Sequence, residues 1–191
     1  MISTTHRDLS EIGTDFAKLA NELKRHPEYA IGASLKVPFP RGHIRRLSEL
    51  QHRWPYLNPD DRRHMACVIQ LCDVYRWHLN LWQVGLTAGN LFCWHAAVPV
   101  IASIEFLVRA FVIERYGKKP GEFFGRINLL ESEGIIASTL AESLHALRTE
   151  RNKVHLNAME RVQHDVEVGF ALYNLSCVAL RDIELALRQH A

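Results

Sequence analysis

Two arginines and a histidine in residues 144–156 have the types and spacing to do chemistry. This segment reads LHALRTERNKVHL. At about 100° per residue, Arg148, Arg151 and His155 fall on the side of a helix that also carries its leucines. A guanidinium stays charged and binds phosphate or carboxylate through a fork of donors, whereas an imidazole can give or take a proton near neutral pH. The three side chains could therefore bind a phosphate group and transfer a proton beside it.

The position of these arginines on an apolar face has two interpretations. A buried guanidinium is costly unless a carboxylate, a phosphate or a polar cavity receives it. In the first interpretation the end of the helix projects past the bundle, or Glu105, Glu114 or another acid pairs with the arginines inside the protein. In the second, the side chains converge on an anion in a solvent-lined cleft at the end of a helical bundle. The sequence leaves both open.

Helical periodicity runs through almost the whole chain, and no convincing run of alternating residues indicates a strand. We expect an all-α protein, with an up-and-down four-helix bundle over residues 90–191 and an N-terminal helical extension over residues 1–85 that packs on it. The predicted helices cover residues 8–25, 42–54, 59 to between 82 and 84, 90–116, 122–133, 135–156 and 159–188. The segment with the two arginines is then the third bundle helix.

Capping residues and apolar spacing define the expected helix ends and core faces. Asn58-Pro59 predicts a helix start, and Gly134 predicts a helix end. The core stripe expected after Pro59 is Met65, Val68, Cys72, Tyr75, Leu79 and Trp82. The stripe expected in the last helix is Val162, Val166, Tyr173, Cys177, Leu180 and Leu187.

The 144–156 segment resembles the motif of the HEPN superfamily (higher eukaryotes and prokaryotes nucleotide-binding domain). Its members are up-and-down four-helix bundles with an Arg-x(4–6)-His motif near the end of the third helix. Six residues separate Arg148 from His155, which meets this spacing. Arg151-Asn152 matches the pairing of the arginine with a polar residue, but only three residues separate Arg151 from His155. Glu105-Phe-Leu-Val-Arg109 is similar to the first bundle helix. The resemblance covers about residues 91–188, and either arginine could take the family's part.

The resemblance implies a metal-independent endoribonuclease, as in toxin, antiphage or RNA-processing systems, that cleaves RNA through the substrate's own 2′-hydroxyl. His155 would be the acid or base, Arg148 and Arg151 would bind the phosphate, and Asn152 would add a hydrogen bond. One chain supplies one motif histidine, so a homodimer with a composite site is expected. An antitoxin or regulatory partner is open. The alternatives are an inactive HEPN-like module that binds RNA or nucleotide or mediates assembly, and a helical protein whose arginines pair internally.

Composition narrows the class of protein. The 191 residues, 48% hydrophobic and 23% charged, are typical of a packed globular protein. A net charge of +2 argues against nucleic-acid binding through a whole basic face, but not through a basic pocket. No secretory signal pattern opens the sequence. The apolar stretch 91–113 contains charged residues, so we interpret it as a core helix of a cytoplasmic protein without membrane contact.

The cysteines predict neither disulfides nor a zinc site. Cys67, Cys72, Cys93 and Cys177 form no CxxC pair, and three of them lie in apolar helical runs. We therefore expect no metal and no cofactor. Of the 11 histidines, only His155 belongs to a pattern that suggests catalysis.

Overall fold

The computed structural model of the protein describes residues 8–27, 44–81, 86–117, 121–153 and 166–191. All regular secondary structure in these ranges is helical, which confirms the predicted all-α class. The helices are α1 (Leu9–Arg25), α2 (Leu47–Gln51), α3 (Pro59–Leu81), α4 (Leu86–Tyr116), α5 (Phe123–Ser132), α6 (Ser138–Lys153) and α7 (Val166–Gln189). Packing divides the chain into two compact units, Met1–Pro40 and Arg41–Ala191.

Helix α1 belongs to the first unit and has the predicted extent. The Asp8 carboxylate accepts the backbone N–H of Ser10 at 3.1 Å, which satisfies one of the unpaired donors at the helix start. Its apolar residues Ile12, Phe16 and Leu19 lie on one face and are exposed. The amphipathic pattern predicted for this helix is therefore present but unburied at these three positions.

Helix α3 begins at the predicted Asn58-Pro59 pair. The side-chain oxygen of Asn58 accepts the backbone N–H of Asp61 at 2.9 Å and caps the first turn. The buried residues of α3 are Met65, Ala66, Ile69, Cys72 and Asp73. This face is rotated from the predicted stripe, because α3 packs against α2 as well as α4.

Helix α2 is shorter than the 42–54 range predicted for it, because it begins only at Leu47. The backbone N–H of Arg45 donates to the Asp73 carboxylate at 3.1 Å. This bond holds Arg45 outside the helix and ties it to α3.

Helix α4 is the central helix of unit Arg41–Ala191 and contacts α3, α5, α6 and α7. Its buried residues include Val100, Ile104, Leu107 and Phe111. Among the described helices, only the Ala88–Tyr116 stretch of α4 is long and apolar enough to cross a membrane by length and composition. In this fold 56% of its most apolar window is buried, so packing by neighbouring helices accounts for much of its apolar character.

Helices α4 and α7 share the most extensive contact and approach closely at one glycine. The Gly169 N–H donates to the Asn90 side-chain oxygen at 2.6 Å. A Cβ at Gly169 would lie 2.1 Å from that oxygen and 2.8 Å from a ring carbon of Trp94. The helix predicted to begin at residue 90 begins at Leu86 instead. Asn90 therefore lies within α4, and its side chain bonds across to α7.

The connection from α5 to α6 follows the predicted glycine signal. Gly134 has φ +67° and ends the turn after α5, and the backbone N–H of Ile135 donates to the Leu130 carbonyl at 2.9 Å. Ile135 and Ile136 are buried in this turn. Helix α6 therefore starts at Ser138, three residues later than predicted.

The buried face of α7 is also rotated relative to the prediction. Its buried residues are Gly169, Leu172, Ser176, Ala179, Ile183, Glu184 and Leu187. Of the predicted stripe only Leu187 is fully buried, whereas Tyr173 and Leu180 are half-buried and Cys177 is exposed. Val162 and the Val166 side chain lie outside the described residues.

Residues on both sides of the predicted 85–90 boundary share one core. Trp54 is 1% exposed, and its indole N–H donates to the Glu184 carboxylate on α7 at 3.1 Å. Arg53 forms an ion pair with the same carboxylate. The packing unit is thus wider than the predicted 90–191 bundle, because residues 44–81 contribute to its core.

Candidate functional site

Three of the four predicted site residues lie near the described end of α6. Leu144 and Leu147 are buried and fix the rotation of this helix on the core. Arg148 and Arg151 are half-buried, and Asn152 is exposed. His155 lies outside the described residues, so its predicted role stays a prediction.

Arg148, Arg151 and Asn152 border one cavity of about 210 Å³ between α4, α5 and α6. The other lining residues come from α4 and from the start of α5; they are Glu105, Glu122, Phe123, Phe124 and Arg126. Three guanidiniums thus face two carboxylates, which leaves an excess of one positive charge. The cavity is suited to a small anionic group.

Arg151 has the acidic partner that the sequence suggested. Its Nη1 lies 3.3 Å from Oε2 of Glu105, with 41% of the arginine side chain and 28% of the glutamate side chain exposed. A pair this exposed stabilises a fold by about 1 kcal/mol or less, so its geometry can yield to a ligand. Glu105 therefore orients Arg151 and also competes with an anionic ligand for its guanidinium.

Arg148 lies against an aromatic ring and has no acidic partner among the ion pairs of the described residues. Its guanidinium carbon is 5.2 Å from the centre of the Phe124 ring, a cation–π distance. Its Nε is buried and has no hydrogen-bond partner in the described structure. An unpaired buried donor on a charged group is costly, and a bound anion would satisfy it.

Phe124 is a site residue that the sequence analysis missed. The pair Phe123-Phe124 begins α5, and at helical spacing two adjacent residues face different directions. Phe123 is buried at 6% exposure, whereas Phe124 is 47% exposed at the cavity. The doubled phenylalanine after Gly121 was the available signal, because only one of the two rings can enter the core.

His145 is a second residue that sequence patterns did not assign. Its ring centre lies 4.8 Å from that of Phe124, and its Nε2 lies 2.9 Å from Oδ1 of Asn128. Its Nδ1 is buried without a hydrogen-bond partner in the described structure. His145 thus supports the Phe124 ring on the side of α6.

Metal ligation has no candidate in the described part of the chain. No group of three or more His, Cys, Asp or Glu side chains there is arranged to hold a metal ion. The four cysteines are unpaired, with Cys72 and Cys93 buried. The cavity is therefore better suited to hydrogen bonding through its guanidinium and amide groups than to metal ligation.

Comparisons with known proteins do not identify a family. No protein-family model matches the chain, and neither curated proteins nor solved structures give a significant match. The functional conclusion therefore depends on the cavity itself.

Proposed function

We propose that this protein is a metal-independent endoribonuclease whose helices α4–α7 form a HEPN-like four-helix bundle. The observation that carries the proposal is the shared cavity of Arg148, Arg151 and Asn152 on the turn of α6 that precedes His155 in sequence. This arrangement gathers hydrogen-bond donors for a phosphate on the turn that ends three residues before His155, whose imidazole can transfer protons. It supports the second interpretation of the sequence, an anion-binding cleft.

The reaction is transesterification within the RNA strand. The 2′-oxygen attacks the adjacent phosphorus, the bond from phosphorus to the 5′-oxygen breaks, and the products end in a 2′,3′-cyclic phosphate and a 5′-hydroxyl. Arg148 and Arg151 bind the phosphate oxygens, where negative charge grows, and Asn152 adds a hydrogen bond. His155 accepts the 2′-hydroxyl proton or donates a proton to the leaving 5′-oxygen.

The substrate is unpaired RNA. Phe124 is 47% exposed and the Arg148 guanidinium lies over its ring, so a base can stack on this pair of side chains. Bases that stack on aromatic side chains must first leave a duplex, so single-stranded segments and loops bind better than helices. The cavity of about 210 Å³ accommodates a phosphate group with the base outside on Phe124.

A homodimer in the cytoplasm is the working form that we propose. The acid and the base of this reaction act on opposite oxygens, and one chain supplies a single motif histidine. Two copies related by a two-fold axis place two His155 side chains in one cleft.

Cleavage of total RNA in excess EDTA tests the proposal. The wild-type protein is compared with His155→Ala, with an Arg148→Gln/Arg151→Gln double variant, and with Arg46→Gln as the control. Arg46 is a matched arginine with an 84% exposed side chain outside the cavity. We expect EDTA-resistant cleavage with cyclic phosphate ends, a loss of about 10²-fold or more in both site variants, and no change in the control. Cleavage that persists in both site variants contradicts the proposal.

A non-catalytic module that binds RNA or nucleotide is the second candidate. The Arg151–Glu105 ion pair favours it, because a carboxylate beside the phosphate ligands weakens the positive field that a cleaving site needs. In the same experiment, salt-sensitive RNA binding without cleavage selects this candidate. Loss of that binding in the double variant assigns it to the same cavity.

A further inference from the structure

A second cavity of about 250 Å³, lined by charged and apolar side chains, lies between α3 and α7 and shares no lining residue with the first. Four arginines contribute to its walls: Arg45, Arg53, Arg76 and Arg181. The acidic residues of the wall are Asp73 and Glu184, which are 2% and 4% exposed. A cavity this rich in guanidinium groups needs a physical explanation, since like charges repel across it.

Asp73 holds two of these arginines in fixed positions. Arg45 binds it with both prongs of the guanidinium, through Nε to Oδ2 at 2.9 Å and through Nη2 to Oδ1 at 2.7 Å. Arg76 donates to Oδ1 at 3.1 Å from one turn further along α3. Each guanidinium carries five N–H donors, so both keep further donors beyond those that Asp73 accepts.

Glu184 orients a third arginine from the opposite wall. Its carboxylate pairs with Arg53 and also accepts the indole N–H of Trp54. Arg53 keeps 33% of its side chain exposed, so the part of its guanidinium not bound to Glu184 reaches the cavity.

The charges of the wall do not balance. Four guanidiniums against two carboxylates leave an excess of two positive charges. Arg181 also pairs with Asp182, which lies outside the lining, and counting it the excess is one. An ion pair that only joins two helices needs one arginine for each carboxylate. The wall exceeds that requirement with Arg76, which is 54% exposed, whereas Arg181, 67% exposed, has Asp182 as its own carboxylate.

Neutral groups complete the wall and repel no anion. Tyr173 and Cys177 line the cavity together with the apolar side chains of Ile69, Val100 and Leu180. Although Cys177 is exposed as a residue, partial desolvation at the cavity raises the pKa of its thiol further above neutral, so the thiol adds no charge to the wall. Pre-oriented cationic forks on a surface without competing thiolate charge are the arrangement that phosphate recognition uses.

We propose that the α3–α7 cavity is a binding site for the phosphate group of a small ligand, either inorganic phosphate or a phosphate monoester. The N–H donors of Arg45, Arg53 and Arg76 that Asp73 and Glu184 leave unused meet its oxygens, and Arg181 closes the solvent side. Asp73 and Glu184 act as positioning residues that hold the forks before the ligand arrives. This site is independent of the endoribonuclease proposal, because no residue is common to the two cavities.

Isothermal titration calorimetry of the full chain with inorganic phosphate, AMP and adenosine tests this site, with chloride matched for ionic strength. The test variant is Arg76→Gln/Arg181→Gln, which leaves Asp73 its bidentate bond to Arg45 and so preserves the fold. Arg46→Gln/Arg63→Gln is the control with the same loss of charge on exposed arginines. Circular dichroism and thermal unfolding verify that both variants fold.

We expect phosphate and AMP to bind, adenosine not to bind, and the test variant to lose affinity about tenfold or more for each arginine. The control variant should retain wild-type affinity. Tighter binding of AMP than of phosphate identifies a nucleotide as the ligand, and equal binding identifies the phosphate group alone. The proposal is overturned if neither ligand binds above the chloride background. It is also overturned if binding survives in the test variant and is lost in Arg148→Gln/Arg151→Gln, because the anion then occupies the first cavity.

Discussion

Glu105 has opposite effects on the two functions that Arg151 could have. At a structural ion pair, Glu105→Gln removes a stabilising contact and leaves RNA binding unchanged. At a phosphate site, the same change frees Arg151 for the ligand and removes a repelling charge. We expect Glu105→Gln to tighten binding of a short single-stranded RNA several-fold and to change the free energy of unfolding by about 1 kcal/mol or less. Fluorescence anisotropy and urea denaturation measure the two quantities, and unchanged affinity contradicts the phosphate role.

The cysteine thiols should differ in reactivity according to burial. Burial raises the pKa of Cys72 to about 12 and that of Cys93 to about 11. Their thiolate fractions at pH 8 are therefore minute, and both residues are buried, whereas Cys67 is exposed. We expect iodoacetamide to label Cys67 rapidly and to spare Cys72 and Cys93 in the folded protein. Peptide mass spectrometry after timed labelling reads this pattern, and equal labelling of Cys67 and Cys72 would refute it.

The buried thiol of Cys72 should make the folded protein less stable as the pH rises into the alkaline range. The unfolded Cys72 ionises near its ordinary pKa of 9, whereas the folded thiol keeps its proton to about pH 12. Between these values the unfolded state binds fewer protons, so the free energy of unfolding falls as pH rises. Cys72→Ala should reduce the slope between pH 9 and pH 11, as measured by urea denaturation at several pH values. An unchanged slope would assign the loss of stability to other groups.

At the scale of the helices, the Gly169 crossing makes a stability prediction. Gly169→Ala places a methyl group against Asn90 and Trp94, and α4 and α7 must separate to admit it. We expect a loss of about 1–3 kcal/mol in the free energy of unfolding. Gly125→Ala in α5 is the matched control, because no atom lies within 4 Å of its added Cβ, and it should be neutral or slightly stabilising. Urea denaturation of the two variants side by side measures the difference.

Helix positions were easier to predict than helix faces. Asn58-Pro59 and Gly134 act through local hydrogen bonds and backbone conformation, so their signals can be read from a few residues. The buried face of α7 depends on which neighbours surround it, and periodicity alone placed Cys177 inward and missed Ser176. The predicted buried face is therefore displaced by one residue from the observed one, which is a rotation of about 100° around the helix.

The cavity beside Arg148 and Arg151 was predictable only in part, because helix spacing can be read from the sequence and the packing of distant helices cannot. Arg148 and Arg151 share a helix face by spacing alone, and Glu105 was named as a candidate partner from composition. The doubled phenylalanine indicates that one ring stays outside the core, but the packing of α5 against α4 and α6, which brings Phe124 to the cavity, has no local signal. The α3–α7 cavity was missed for the same reason, since Arg45 and Arg181 are far apart in sequence.

At the scale of the whole molecule, oligomeric state and activity should change together. If two His155 side chains complete one cleft, monomers are inactive and specific activity falls as dilution dissociates the dimer. Sedimentation velocity and cleavage assays over the same concentration range test this expectation. Specific activity that stays constant while the dimer dissociates contradicts a composite site and leaves a site within one chain.

The bond between Trp54 and Glu184 also affects the order of events during synthesis. The two residues are 130 positions apart, and at ribosomal rates of about 5–20 residues per second the interval between them is on the order of ten seconds. During that time the indole ring and the apolar residues of α2 and α3 have no α7 to cover them. The nascent chain therefore presents a target for chaperones until α7 emerges. The intrinsic fluorescence of Trp54 should change only when this last helix docks.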